Sequence, residues 1–397
     1  MKRLALYLII FALFSPLGNA QDTLSDPTYL RLWADNVPFP KKSEIPFPEG
    51  VSHRVVQDGN LEPEYKFMHE TAIGFCDNEL FFGWYNNPEL ELQGKTIQRV
   101  RRSLDNGETW TEPELVMDRD SLGEMCVGLQ FFSLDGNFYL LSNLESEAER
   151  PIHCLLSRYD RTNRDWDPVA PIAERFLAMQ APVQNERGDY VASGSFAPLP
   201  GQIFASTPAA LVSRGNDVDK TWRLIRLDSN DQVNVFAETS VIVEGKNALA
   251  VTRREDSPFP NFYESIDYGE NWRRVENKSF PAVHSKFAAG IFSDGTRYIA
   301  FNLPEFERES DGSFNRDSFD YSSRDSLAIA VASKGESAFS RAYMISNPET
   351  PCRLAESHYP CVVERDGWVY VSYTGKYVDK PLRVGALTKF PLEALRK

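Results

Sequence analysis

The sequence predicts an all-β fold, a β-propeller of four-stranded blades, on three observations. Four tryptophans, Trp110, Trp166, Trp222 and Trp272, stand 56, 56 and 50 residues apart. Two of them close the pattern Ser-x-Asp-x-Gly-x-x-Trp, first from Ser103 through Asp105 and Gly107 to Trp110, then from Ser265 through Asp267 and Gly269 to Trp272. Between these markers short apolar runs alternate with tight polar turns. A period near 50 residues carried by short strands is the signature of blades set around a central channel.

Taken in chain order, residues 1–20 read as a secretory signal peptide: Lys2 and Arg3, an apolar run over 4–14, then a small-residue stretch ending at Ala20. The run is too short to span a bilayer and polar sequence follows it, which argues against a membrane anchor. No cysteine follows the cleavage position to carry lipid, so the expected location is secreted or periplasmic. Residues 21–50 carry Pro27, Pro38, Pro40, Pro46 and Pro48, a composition suited to an extended wrapping segment. A seventh blade would need its strands here.

Residues 51–397 are predicted to form a single propeller domain. Six inner hairpins are expected at 71–75 with 80–85, 126–132 with 137–142, 181–184 with 190–195, 239–243 with 248–252, 287–292 with 298–301, and 360–363 with 369–373. Their turns carry Asp77-Asn78, Asp135-Gly136, Arg187-Gly188, Glu244-Gly245, Asp294-Gly295 and Asp366-Gly367, mostly the chemistry that two-residue hairpin turns demand. The last unit runs out of chain after 384–387, so the stretch at 51–57 is expected to supply its missing outer strand. Six blades is the economical count.

The repeated motif explains itself physically. Aspartate can bond to backbone amides two residues on, glycine takes the positive φ of a tight turn, and the indole buries between sheets. Degenerate copies at 157–166, 213–222 and 333–339 keep the turn and the aromatic residue. These are structural staples, with no catalytic role expected.

The net charge is -14, or -16 once Lys2 and Arg3 leave with the leader, which argues against nucleic acid or an anionic membrane as partner. Five cysteines, Cys76, Cys126, Cys154, Cys352 and Cys361, show no CxxC spacing, so neither a metal nor a cofactor is implied. Most read as buried thiols, and one disulfide is compatible with an oxidising compartment.

Propeller geometry sorts chemistry onto one face. The start of each inner strand, the end of the second strand and the long loop that follows share it, while the motif turns lie on the other. The residues ringing this face are His69-Glu70, Glu124, Gln180, Glu238, His284-Ser285-Lys286 and Glu356 to Tyr359, and they include three of the five histidines. The loops of this face are the least repetitive part of the chain, and the length of the one at 304–324 marks it as functional or disordered.

These residues resemble the sialidase superfamily, the Asp-box or BNR-repeat propeller glycosidases of bacterial glycan degradation, over nearly the whole mature chain. The resemblance implies that Glu238 activates Tyr359 as nucleophile, and that Arg253 and Arg324 bind a substrate carboxylate. A phenol needs an adjacent base to attack an anomeric carbon, and a carboxylate group suits planar guanidinium partners. The chain departs from the pattern at Phe67-Met68-His69-Glu70, where sialidases begin with Tyr/Phe-Arg-Ile-Pro, so His69 replaces an arginine. It also lacks a matching acid aspartate after Tyr85, where Glu89 or Glu91 would have to serve. In this respect it resembles related propellers that use a histidine on α-L-rhamnosyl-glucuronate linkages.

The leading reading is an exo-acting hydrolase of glycans containing an acidic sugar, with Glu238, Tyr359, His69 and Glu70 catalytic. Arg253, Arg324, His284, Lys286, His358, Gln180 and Trp84 are expected to bind substrate. A polysaccharide lyase for uronic-acid glycans is the nearest alternative, because proton abstraction needs a His or Tyr base. A non-catalytic glycan-binding propeller using Trp84, Tyr85 and Tyr373 as aromatic platforms is the third.

Overall fold

All six inner hairpins expected from the apolar runs form in the computed structural model, and each grows into an antiparallel sheet around a common channel. The structure describes residues 31–59, 64–146, 153–197, 205–215, 217–220, 222–228, 234–380 and 382–396. The leader read at 1–20 and the start of the wrapping segment lie outside them. The architecture is a six-bladed β-propeller.

Blade I runs Phe67–Cys76, Glu79–Asn87, Ile97–Ser103 and Glu114–Met117, and blade II runs Met125–Leu134, Asn137–Glu145, His153–Asp160 and Asp165–Glu174. Blade IV comprises Thr239–Glu244, Asn247–Thr252, Asn261–Ser265 and Arg273–Val275; blade V comprises Ala288–Ile291, Arg297–Asn302, Leu327–Ala332 and Arg341–Ser346. At Asp135-Gly136 and Asp366-Gly367 both turn residues take positive φ, 48° with 73° and 53° with 76°, as the primed hairpin turns require.

Blade III departs from the expected single inner strand. Phe176–Ala178 and Val183–Gln184 each pair with Tyr190–Phe196, and Pro182, which has no N–H to donate, lies in the gap between them. Blade VI closes the ring as expected: Leu354–Arg365, Trp368–Tyr377 and Arg383–Pro391 are completed by Ser52–Asp58 from the other end of the chain. His53 stands opposite Thr388 in that closing pair.

The residues after Arg31 wrap as an extended segment and add no blade among the described residues. Arg31–Trp33 runs parallel to Ala338–Phe339, and Phe39 packs 4.8 Å from Trp33 and 5.6 Å from Phe280. The long 304–324 loop is pinned onto this segment. Arg308 donates to the Phe39 carbonyl at 2.7 Å, and Phe306, Phe314 and Phe319 join one aromatic cluster. All five cysteines are unpaired.

The Ser-x-Asp-x-Gly-x-x-Trp turns have the expected mechanics. Ser103 accepts from the Gly107 amide at 2.8 Å, Asp105 accepts from the Thr109 amide at 2.8 Å, and the Trp110 indole donates to the Gly107 carbonyl at 3.2 Å. The second copy repeats these contacts through Ser265, Asp267 and Trp272. Trp110 is half-buried against Phe82, their centroids 5.7 Å apart, whereas Trp166 and Trp222 in the degenerate copies are buried. Trp110→Ala is therefore expected to lower stability by about 2–3 kcal/mol in urea denaturation, below the cost of a fully buried aromatic. An unchanged midpoint would contradict the staple assignment.

Candidate active site

Local backbone geometry builds the site. Strand pairing in blade I slips between His69 and Ala72, and in blade VI between His358 and Cys361. At these bulges Glu70 (φ 46°) and Tyr359 (φ 59°) hold left-handed backbone, a conformation that costs non-glycine residues roughly 1–3 kcal/mol and is characteristic of functional positions. Blade II slips at the same step, between Cys126 and Leu129. Gly128 in that bulge makes room for Glu70, because a Cβ there would lie 1.7 Å from Glu70 Oε2.

Three side chains from three places in the chain meet beneath this face. The Tyr359 hydroxyl donates a short hydrogen bond to Glu238 Oε1, and Arg253 Nη1 donates at 3.0 Å both to Glu238 Oε2 and to the Tyr359 oxygen. All three are buried. Glu238 immediately precedes the inner strand of blade IV and Arg253 follows its second strand, so the hairpin brings them together; the Arg253 amide donates to the Glu238 carbonyl at 3.0 Å. Burial, and next the Glu238 carboxylate, raise the Tyr359 phenol well above its ordinary 10, while Arg253 and Arg324 oppose that rise. The phenol is thus protonated at rest, with its proton directed at Glu238.

Cations crowd around the trio. The Arg324 guanidinium lies 5.7 Å from the Tyr359 ring centre and is oriented by donating to the His284 carbonyl at 2.8 Å. Lys286 Nζ lies 5.8 Å from the same centre, is buried, and has no hydrogen-bond partner among the described residues. A buried ammonium without an acceptor is costly, so this one suits an anionic ligand. Glu70 is buried too, and that burial, offset by Lys286 and reinforced by Glu238, raises its carboxyl from 4.5 to about 7. Near neutral pH it can give or take a proton.

His69 packs its ring 4.3 Å from Tyr359 and shares a 3.1 Å hydrogen bond with Thr374. Burial holds its imidazole well below the usual range, so it is neutral. His358, 5.1 Å from His69, is fully enclosed and likewise neutral.

An open cleft of about 530 Å³ borders the cluster, lined by Arg253, Glu255, His284, Ser322, Ser323, Arg324, Ala355 and Glu356. Arg253 and Arg324 belong to both the cleft wall and the buried trio's surroundings. His284 sits on this wall with Nδ1 3.4 Å from Glu255 and its ring 4.4 Å from Tyr321. The structure therefore gathers His69, Glu70, Glu238, Arg253, His284, Lys286, Arg324 and Tyr359 on one face.

Three expected substrate contacts are corrected. Gln180 spends its amide on backbone, donating to the Val241 and Ala289 carbonyls at 3.0 and 2.8 Å and accepting from the Val241 amide at 2.9 Å. It cross-links blades around the channel. Trp84 is 0% exposed, packed in the core with Phe82 and donating to Asn86 at 2.6 Å, so no face of it meets a sugar. His358 is 0% exposed and backs the site without reaching the cleft. Tyr85 and Tyr373 are buried as well, which removes the aromatic platforms a purely binding propeller would use. Of the two candidate acids after Tyr85, Glu89 pairs with Lys66 on the surface and Glu91 accepts from the Tyr85 hydroxyl at 3.0 Å. Glu124 forms an ion pair with Arg119 and stays out of the site.

Glu255 went unread in the sequence. Its Oε1 is 2.5 Å from Arg253 Nε, an ion pair on a different guanidinium nitrogen from the one that faces Glu238. Its place two residues after Arg253 was the available signal.

The sequence profile of the BNR repeat-like domain matches residues 166–371, more than half of the chain. None of the curated proteins matches the sequence. Among solved structures, a mutant of Trypanosoma rangeli sialidase displaying trans-sialidase activity superposes with a TM-score of 0.62 at 13% identity, covering 89% of this chain and 60% of that one. A Hadza microbial sialidase gives 0.65 at 14% identity, with coverages of 86% and 69%. The α-L-arabinanase of Penicillium chrysogenum complexed with arabinobiose gives 0.57 at 14%, with coverages of 87% and 99%. The chain thus corresponds to 60% of the trypanosomal protein's length, and at these identities the likeness is one of fold.

Proposed function

This chain belongs to the BNR repeat-like domain family, and from that premise we propose that it is an exo-acting glycoside hydrolase for glycans containing an acidic sugar. The observation that carries the reading is the buried trio of Tyr359, Glu238 and Arg253, in which the phenol already donates to the carboxylate. A phenol so placed has one chemical use that a merely structural tyrosine lacks: it can lose its proton to Glu238 as its oxygen bonds to an electrophilic carbon.

The proposed reaction has two halves. Tyr359 attacks the anomeric carbon as its proton passes to Glu238, and Glu70 protonates the departing glycosidic oxygen. Water then attacks the glycosyl-tyrosine, gives its proton to Glu70, and the phenolate recovers its own from Glu238, with net retention of configuration. Lys286, Arg253 and Arg324 supply the positive field that a carboxylate-bearing sugar requires. Neutral His69, its ring centre 4.3 Å from that of the phenol and tilted 54° to it, fixes its orientation. With the leader read at 1–20, the enzyme would act outside the cytoplasm.

Incubation with a panel of sialylated and uronate-containing oligosaccharides, followed by chromatography with ultraviolet detection, tests the proposal. Release of a saturated acidic monosaccharide is the expected result. An unsaturated, ultraviolet-absorbing product would assign the site to elimination, and retention of every glycan without turnover would make it a binding module.

A further inference from the structure

The wrapping segment ahead of the propeller reaches the cleft through its charges. It is fastened to blade V on both sides of a single turn: Arg31–Trp33 pairs with Ala338–Phe339, and the Pro46 carbonyl accepts from the Met344 amide at 2.8 Å. Between these anchors Pro38 and Pro40 restrict the backbone, and Lys42–Glu44 form one 3₁₀ turn, with the Lys41 amide donating to Glu44 Oε2 at 2.8 Å. A segment anchored at both ends with one tight turn between presents its side chains in a fixed direction. Lys41, Lys42 and Glu44 all meet the 304–324 loop or its end, through Glu307 at 3.1 Å, Asp325 at 2.7 Å and Arg308 at 3.1 Å.

Lys42 meets both legs of that loop. Its Nζ is 2.7 Å from Asp325, where the returning leg ends, and 3.9 Å from Glu305 on the outgoing one, and its side chain is only 16% exposed. Glu305 and Asp320 close the loop's base, the amide of each donating to the carbonyl of the other at 3.2 and 2.9 Å. Asp320 in turn accepts from the Ser322 amide and hydroxyl at 3.0 and 2.8 Å. Those bonds lower its carboxyl below the ordinary range, and the nearby Lys42 charge lowers it further. The wall of the cleft hangs from this base, because Ser322, Ser323 and Arg324 line the cleft between Asp320 and Asp325. On its inner side the stretch is bonded to the site: the His284 amide donates to the Tyr321 carbonyl at 2.9 Å, and the Ser357 amide to the Arg324 carbonyl at 2.8 Å. On its outer side Lys42 holds the residue next to Arg324.

We propose that Lys42 is a positioning residue for substrate binding: by clipping the two legs of the loop together it fixes Ser322, Ser323 and Arg324 where a sugar in the cleft meets them, so that the segment ahead of the propeller sets affinity without taking part in the chemistry. The effect on substrate rests on the glycosidase reading given above; the effect on the loop does not. Without this cation the carboxylates of Glu305, Asp320 and Asp325 would repel one another at the loop's base. A network of several charges is the arrangement in which surface ion pairs contribute more than an isolated pair does. Tyr359, Glu238 and Arg253 stand on blades IV and VI and bond to one another, so the chemical step is insulated from this change.

Lys42→Met keeps the aliphatic stem and removes the charge, and Lys42→Arg restores the charge. Hydrogen exchange read by mass spectrometry follows the loop, and steady-state kinetics with whichever acidic glycan is turned over follows the site. In Lys42→Met the amides of 304–325 are expected to exchange about threefold to tenfold faster, and KM to rise by a similar factor with kcat within about twofold of wild type. Lys42→Arg is expected to match wild type in both, and added salt to move wild type toward the methionine variant. Unchanged exchange over the loop in Lys42→Met, faster exchange with KM unmoved, a loss confined to kcat, or an arginine variant as impaired as the methionine one would each overturn the proposal. If wild type retains a glycan but turns none over, the hydrolase reading falls and the Kd of that glycan takes the place of KM in deciding the role of Lys42. If it neither turns over nor retains any glycan, both readings fall together.

Discussion

Tyr359→Phe is expected to lower turnover by about a hundredfold or more while leaving the fold intact, and Glu238→Gln to do the same. The phenylalanine variant is the cleaner of the two. It deletes one oxygen, and Arg253 keeps its contacts with Glu238 and Glu255. Glu238→Gln instead removes a buried negative charge facing a buried guanidinium, a change that typically costs about 3–5 kcal/mol when nothing replaces it. Here Glu255 remains, so a smaller stability loss is expected, and urea denaturation run beside the kinetics separates folding from chemistry. Rates within a few-fold of wild type in both variants, with whichever acidic glycan is turned over, would dismiss Tyr359 as nucleophile.

The fold was legible because it repeats. Tryptophan spacing, Asp-Gly turns and apolar runs gave six hairpins, and the unfilled last unit pointed to the strand at Ser52–Asp58. Blade III departs from expectation at its innermost strand, where Pro182 interrupts the ladder that the run at 181–184 predicts. Candidate site residues gather to the extent that propeller symmetry places strand starts on one face. That rule works at Glu238 and Tyr359, and it fails at Gln180, whose amide is drawn to the carbonyls of neighbouring blades. Side-chain burial was illegible for Trp84, because a strand end near the funnel and a strand end inside the core carry the same local sequence. Nothing in the sequence announced the left-handed backbone at Glu70 and Tyr359, which arises only when the ladders of adjacent strands slip.

The slip at Glu70 leads to the second large effect. A carboxyl at about 7 needs its proton for the work proposed, so the activity of wild type is expected to fall as pH rises through that value. Glu70→Gln removes both the proton and the limb of the profile. Turnover of glycans with poor leaving groups is expected to drop about 100- to 10,000-fold, and aryl glycosides with acidic leaving groups far less, since these depart unprotonated.

The same group makes an opposite prediction for stability. Glu70 has a folded pKa above its ordinary 4.5, so folded protein holds a proton that unfolded chain releases, and the stability it contributes at low pH is lost as pH rises toward about 7. The shift corresponds to on the order of 3 kcal/mol. Glutamine mimics the protonated form without titrating, so the stability difference between Glu70→Gln and wild type is expected to grow in the variant's favour between about pH 5 and about pH 8. Taking the difference cancels the other buried groups, including His69 and His358. A variant more stable above neutrality yet catalytically crippled would identify Glu70 as a group kept at a cost to the fold for its chemistry. A flat difference across that range would place its carboxyl in the ordinary carboxylate range, and the acid in the first half-reaction would have to be sought elsewhere, with Glu91, which accepts from Tyr85, the first candidate.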